Sequence, residues 1–178
     1  MEIEANIRAI IEKIDPNNDG VEKTPERVAR SYEEFFSGYN VDIYNIANTF
    51  YDSEMKDLIM LENIPFESNC EHHLVPIIGT ASVGYIPNGK IIGASKLARI
   101  VDCFAHRLQL QERMTIEIGK ALEAILNPAG VGVYIKAEHF CISHRGVKKH
   151  GSKFVTRYFS GALKDSLRQE FLATVMAG

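Results

Sequence analysis

Cysteine occurs only three times in the 178 residues of this chain. That is too few for the disulfide framework of a small secreted fold and suits metal binding in a reducing compartment. No uninterrupted apolar segment approaches the length of a membrane span, and Met1-Glu2-Ile3-Glu4 lacks the basic start and apolar run of a signal peptide, so a cytoplasmic location is expected. Basic charge is not in excess: 20 Lys and Arg stand against 23 Asp and Glu, a net charge of −3. This argues against general affinity for nucleic acid or an anionic membrane and confines any basic site to a local patch. Linkers, low-complexity tracts and internal repeats are missing as well. With 46% hydrophobic residues, one domain over 1–178 is expected, divided into an N-terminal helical part, 1–38, and a larger part, 55–178.

Ile3, Ile7, Ile10, Ile11 and Ile14 fall at helical spacing, and Asp15-Pro16-Asn17-Asn18-Asp19-Gly20 ends that helix. Thr24 and Pro25 read as the N-cap and first position of a second helix with Val28, Tyr32, Phe35 and Phe36 on its apolar face, closed by Gly38. The stretch 39–53 has no clear period. Leu58 to Ile64 is a short strand, and Ile77 to Ile86 and Ile91-Ile92 read as strands joined by a tight turn at Asn88-Gly89. From Ser95, a suitable N-cap, to Leu126 the pattern is helical with a break near Gln109 to Glu112. Val131, Val133 and Ile135 alternate as a strand, Phe154 to Phe159 as another, and a helix covers about 165–176. The order gives an α+β plan with an antiparallel sheet.

Two of the three cysteines stand beside histidines, in Cys70-Glu71-His72-His73 and His139-Phe140-Cys141. A turn can aim Cys70 and His73 at one point, and a strand places His139 and Cys141 on one face. Two thiolates and one imidazole leave a tetrahedral zinc with an open, catalytic position; a fourth protein ligand closes it into a structural site. Adjacent His72 and His73 point in different directions, so one can bind metal while the other transfers protons to a substrate. Glu71 is either a partner that fixes an imidazole tautomer or a solvated charge. Cys103, between Val101 and Phe104 in a helical pattern, reads as a small buried hydrophobe.

Gly93-Ala94-Ser95-Lys96 at a strand-to-helix junction, with Arg99 one turn on, suits either an anion or ordinary helix capping. Arg145 follows Cys141 closely and has the planar fork that suits a polyphosphate, whereas Lys148 and Lys149 read as solvated. Glu112, in Gln109-Leu110-Gln111-Glu112-Arg113, can accept two hydrogen bonds from the N–H edge of a guanine or simply stabilise a helix N-terminus.

Together, Ser68 to Pro76, Gly84-Tyr85-Ile86-Pro87, Gly93 to Val101, Gln109 to Arg113 and His139-Phe140-Cys141 with Arg145-Gly146-Val147 resemble GTP cyclohydrolase I. The likeness runs from Thr24-Pro25-Glu26-Arg27-Val28 to the C-terminal helix. It implies a tunnelling fold (T-fold), an antiparallel four-stranded sheet with two inserted helices, assembled as a homodecamer with active sites at subunit interfaces. It further implies a zinc enzyme that opens the purine ring of GTP, releases formate and recloses the ring to dihydroneopterin triphosphate, the first step of pterin and folate-type biosynthesis. By the same resemblance Cys70, His73 and Cys141 are the zinc ligands, at a site Fe(II) can also occupy. His72 and His139 transfer protons, Ser95 assists the sugar rearrangement, Glu112 anchors guanine and Gln111 contacts substrate. Lys96, Arg99, Arg145 and Arg27 are the triphosphate-binding set. Ala94 stands where the family usually has Leu, Phe140 and His144 where Met is frequent, and Leu108 where many bacterial members have Pro. Two rivals are a nucleotide-binding module with structural zinc and a zinc purine deaminase, although the His-x-Glu and Pro-Cys-x-x-Cys pattern of the latter is missing.

Overall fold

The computed structural model describes residues 2–47, 49–165 and 167–177. The isoleucine-rich start forms helix α1 (Glu2–Ile14) and is followed by α2 (Thr24–Phe35), against which it packs. Thr24 does not cap α2. Glu22 and Lys23 already have helical backbone angles, so the helix is entered before an extended residue can place the threonine hydroxyl over it. Gly38 does not close α2 either; it lies buried in a 3-10 turn over Ser37–Asn40. A Cβ at Gly38 would stand 2.2 Å from the Cys103 carbonyl oxygen, so glycine is needed for close approach and not for a cap.

A short helix α3 (Ile43–Ile46) and strand β1 (Tyr51–Asp52) lead into β2 (Ile59–Cys70). The expected strand ends at Ile64, but β2 runs on to Cys70. A register shift between Leu61 and Ile64, with Asn63 at positive φ, resets the alternation so that Ile64, Phe66, Ser68 and Cys70 all face inward. Strand β3 (Pro76–Ile86) returns antiparallel to β2. β4 (Lys90–Ile91) then pairs with β1, so the Asn-Gly turn does not join two strands of one hairpin. β3 is already paired on both edges, with β2 and with β6 (Gly130–His139), and leaves no edge for β4.

Between β4 and β6 the chain forms α4 (Ala94–Ala105), the two-residue strand β5 (Leu108–Gln109) and α5 (Gln111–Leu126). Gly93, extended, occupies the cap of α4, which places Ser95 inside the first turn. Asn127 takes the left-handed conformation that ends α5. After β6 come a one-turn helix α6 (Phe140–Ser143), β7 (Phe154–Gly161) and α7 (Arg168–Ala177). The C-terminal helix therefore begins later than residue 165; Ser166 lies outside the described residues. Cys141 sits on α6 and not on the strand with His139, because the extended backbone ends at His139.

The main sheet has the order β5-β2-β3-β6-β7. Its four long strands are antiparallel and β5 joins as a short parallel edge beside β2. The helices α4 and α5 inserted between β3 and β6 cover one face, α4 on β2 and α5 on β6 and β7. Val83, Ile135 and Val133 from the sheet and Leu97, Ile100, Met114 and Ile118 from the helices form the core between them. Each such side chain contributes about 1.5–3 kcal/mol when fully buried. On the opposite face a smaller cluster around Ile86, Leu163 and Phe171 seats α7.

Candidate active site

Sheet register gathers the chemistry at one end of the fold. Cys70, the last residue of β2, lies beside Gln109 of β5, and Ile77 of β3 lies opposite His139, the last residue of β6. Beyond Cys70 the chain turns tightly: the His73 and Leu74 N–H groups both donate to the Cys70 carbonyl, at 3.2 and 2.9 Å, with Leu74 at positive φ. The turn brings His73 Nδ1 to 3.6 Å from Cys70 Sγ.

From the other side, α6 presents Cys141. The ligand atoms of Cys70, His73 and Cys141 all lie within 4.8 Å of one another, and no further Cys, His, Asp or Glu among the described residues joins the group. Two sulfurs and an imidazole nitrogen at that spacing fit one tetrahedral ion with bonds of about 2.0–2.3 Å. Burial pushes the Cys141 thiol up, and the neighbouring Cys70 pushes it further, while Arg145 opposes both. Such a pair resists double ionisation until a cation arrives.

His72 diverges from its neighbour, the two rings meeting at 81° with centroids 6.1 Å apart. It is exposed at the mouth of a cavity of about 200 Å³ that the three metal-competent residues also line. Ile77, Leu110, Ile142 and Phe154 give this cavity an apolar wall; Gln111, Glu112 and His139 are its other polar residues besides Gln109. Burial holds the His139 imidazole below its ordinary value, with Glu112 pulling weakly the other way. The neutral ring is therefore the resting form near neutral pH.

Glu112 occupies the first turn of α5, is exposed, and borders the cavity. Gln111, by contrast, is 1% exposed. Its Oε1 lies 2.8 Å from His139 Nε2, and its Nε2 donates to the Ile135 and Phe154 carbonyls and to Thr156 Oγ1. Ser95, Lys96, Arg99 and Arg27 do not line the cavity within this chain. Ser95, Arg99, Arg27 and Arg145 are exposed, and Lys96 is half-buried.

Two features escaped the sequence. Glu71 pairs with Arg113 Nη2, tying the turn after Cys70 to the start of α5. Thr115 and Thr156 lie behind Gln111 with their hydroxyl oxygens 2.6 Å apart. The four-residue spacing of Gln111 and Thr115 marks a shared helix face, but nothing in the sequence points to Thr156 as their partner.

Comparison with known proteins agrees with this architecture. The apo archaeosine synthase QueF-Like structure superposes with a TM-score of 0.50 at 24% identity, covering 59% of this chain and 94% of that one; the shared architecture is the tunnelling fold. The "GTP cyclohydrolase 1" of Rickettsia prowazekii is 52% identical over 162 residues, 89% of this chain and 85% of that protein. That of Caldanaerobacter subterraneus is 47% identical, covering 98% and 94%. The family profile described as GTP cyclohydrolase I matches residues 3–176, a span that contains both halves of the Cys/His cluster and all of the sheet that brings them together, and the chain thus belongs to the GTP cyclohydrolase I family of enzymes.

Proposed function

We propose that the protein opens the purine ring of GTP, releases the excised carbon as formate and recloses the ring to give dihydroneopterin triphosphate. The observation that carries this reading is the convergence of Cys70, His73 and Cys141 on one side of a cavity whose other walls hold His72, His139 and Glu112. Cys70, His73 and Cys141 would hold a zinc ion, which supplies Lewis acidity and makes water a competent nucleophile near neutral pH.

His139, kept neutral by burial, starts as a proton acceptor. His72, exposed beside it, exchanges protons with the imidazole nitrogen of the purine as the ring opens. The Glu112 carboxylate accepts hydrogen bonds from the N–H edge of guanine and fixes the base in the cavity. Ser95 assists the later sugar rearrangement, and Lys96, Arg99, Arg145 and Arg27 bind the triphosphate. Most of these cations stand away from the cavity of their own chain, which supports an assembly, a homodecamer by family resemblance, in which neighbouring subunits complete each site. Among the described residues three ligand atoms converge, not four, which favours turnover over a structural-zinc binding module.

The zinc-loaded protein incubated with GTP should yield formate and, after oxidation, a fluorescent pterin. Ammonia without formate would mark a deaminase, and unchanged GTP would leave only binding.

A further inference from the structure

Helix α5 lies unusually close to β7. A Cβ at Gly119 would meet the Tyr158 ring at 2.2 Å. On the same helix face, one and two turns toward the N-terminus, Thr115 and Gln111 reach β7 through hydrogen bonds at Thr156. This contact forms a directed chain that ends on His139.

The donors can be assigned by counting. Thr115 Oγ1 lies 2.6 Å from the Gln111 main-chain carbonyl, which can only accept, so the single Thr115 hydroxyl proton goes there. Across the 2.6 Å contact between the hydroxyls, Thr156 must then be the donor. Its lone pairs are left to accept from Gln111 Nε2 at 2.9 Å. The second hydrogen of that nitrogen is shared between the Ile135 and Phe154 carbonyls, at 3.3 and 3.1 Å; reversing the amide would set its oxygen against both. Gln111 Oε1 therefore faces His139, and His139 Nε2, 2.8 Å away, must carry a proton. In the neutral ring the lone pair then resides on Nδ1.

We propose that Thr156 and Thr115 are positioning residues of the reaction, whose hydroxyl pair orients the Gln111 amide and thereby holds His139 as the Nε2–H tautomer with Nδ1 as its proton-accepting atom. The proposal rests on the reading of His139 as a proton-transfer residue and moves Gln111 from contacting substrate to orienting that ring. A lone threonine pair in a buried interface could serve packing alone, so the test separates shape from hydrogen bonding. Thr156→Val keeps the shape and removes the hydroxyl, whereas Thr156→Ser keeps the hydroxyl.

With zinc-loaded protein and GTP, Thr156→Val should lower kcat by about tenfold or more with KM within about twofold and the metal content unchanged, and Thr156→Ser should stay within about threefold of the parent. In protein carrying ¹⁵N-labelled histidine, the His139 ring signals, assigned by their loss in His139→Asn, should show the Nε2–H tautomer in the parent and in Thr156→Ser and a shift toward a mixture in Thr156→Val. Equal turnover of the Val and Ser variants, or a His139 tautomer indifferent to both, overturns the proposal. If Thr156→Val does not fold, Thr115→Val and Thr115→Ser interrogate the same chain with the same two readouts. The nitrogen signals need no turnover, so a parent protein that leaves GTP unchanged defeats the proposed function while the tautomer assignment is still decided.

Discussion

Arg113 Nη2 donates to the Glu71 carboxylate across 42 residues of sequence, and the same nitrogen donates to the Leu108 carbonyl at 2.9 Å. Arg113 Nε also reaches Gln109 Oε1 at 3.2 Å, while Gln109 Nε2 donates to the Phe104 carbonyl and to Glu117. One guanidinium thus fastens the turn that carries His72 and His73 to the segment that carries Gln111 and Glu112. The Cys70–His73 turn and the start of α5, which line the same cavity, are held in one geometry through it.

Removing the two partners should have unequal effects. The pair is partly solvated, with side chains 41% and 27% exposed, so Glu71→Gln should cost at most about 1 kcal/mol of stability. Arg113→Ala also abandons the Leu108 carbonyl and Gln109, and about 1–3 kcal/mol is expected. Urea denaturation of both single variants and the double variant measures this; equal costs for the two would contradict it.

Metal binding and proton transfer should separate cleanly. Cys70→Ala and Cys141→Ala should purify without stoichiometric zinc. His72→Ala and His139→Ala should retain the metal and lose turnover by about 10²–10⁴-fold. Loss of zinc from either of the last two would return the site to a four-ligand structural one.

Zinc affinity should rise with pH. In the metal-free protein the Cys141 thiol is held above its ordinary value by burial and by Cys70, and the metal must displace that proton. Protons compete with the metal for its ligand atoms, so occupancy should fall as pH drops and protons should be released on binding. Calorimetric titration at several pH values in buffers of different ionisation enthalpy reads both; occupancy independent of pH down to about pH 4 would refute the ligand assignment.

The close seat of α5 on β7 gives a stability test. Gly119→Ala forces a methyl into the Tyr158 ring, which is itself held by a 3.0 Å hydrogen bond to Glu123. A loss of about 1–3 kcal/mol is expected, with partial recovery in the double variant with Tyr158→Leu. A neutral Gly119→Ala would mean that α5 can ride higher on the sheet than the structure shows.

Much of the site was legible because its chemistry is local. Cys70 and His73 are joined by one turn, and His139 and Cys141 lie two residues apart, so spacing alone marked them as metal-competent. The helix boundaries at Ile14 and Leu126 were legible from punctuation by Pro and Gly. Ser95 and Thr24 have the side chains of caps but lie inside their helices, because a cap needs a non-helical backbone at the residue itself, which composition does not reveal. The partner of β4 is hidden from the sequence for a related reason: an Asn-Gly turn specifies a reversal, but which strand is free to pair is settled by the whole sheet.

By itself, then, the sequence determined the order of the long helices and strands, the residue types able to bind a metal and the two short windows in which they sit. Tertiary structure decided which of them meet. Sheet register set His139 opposite Ile77 and Cys70 beside Gln109, and the approach of α5 to β7 aligned Thr156, Thr115 and Gln111 behind His139. Periodicity reports which face a residue shows. Hydrogen-bond partners far apart in the chain are fixed only when the core closes and every buried donor must find an acceptor.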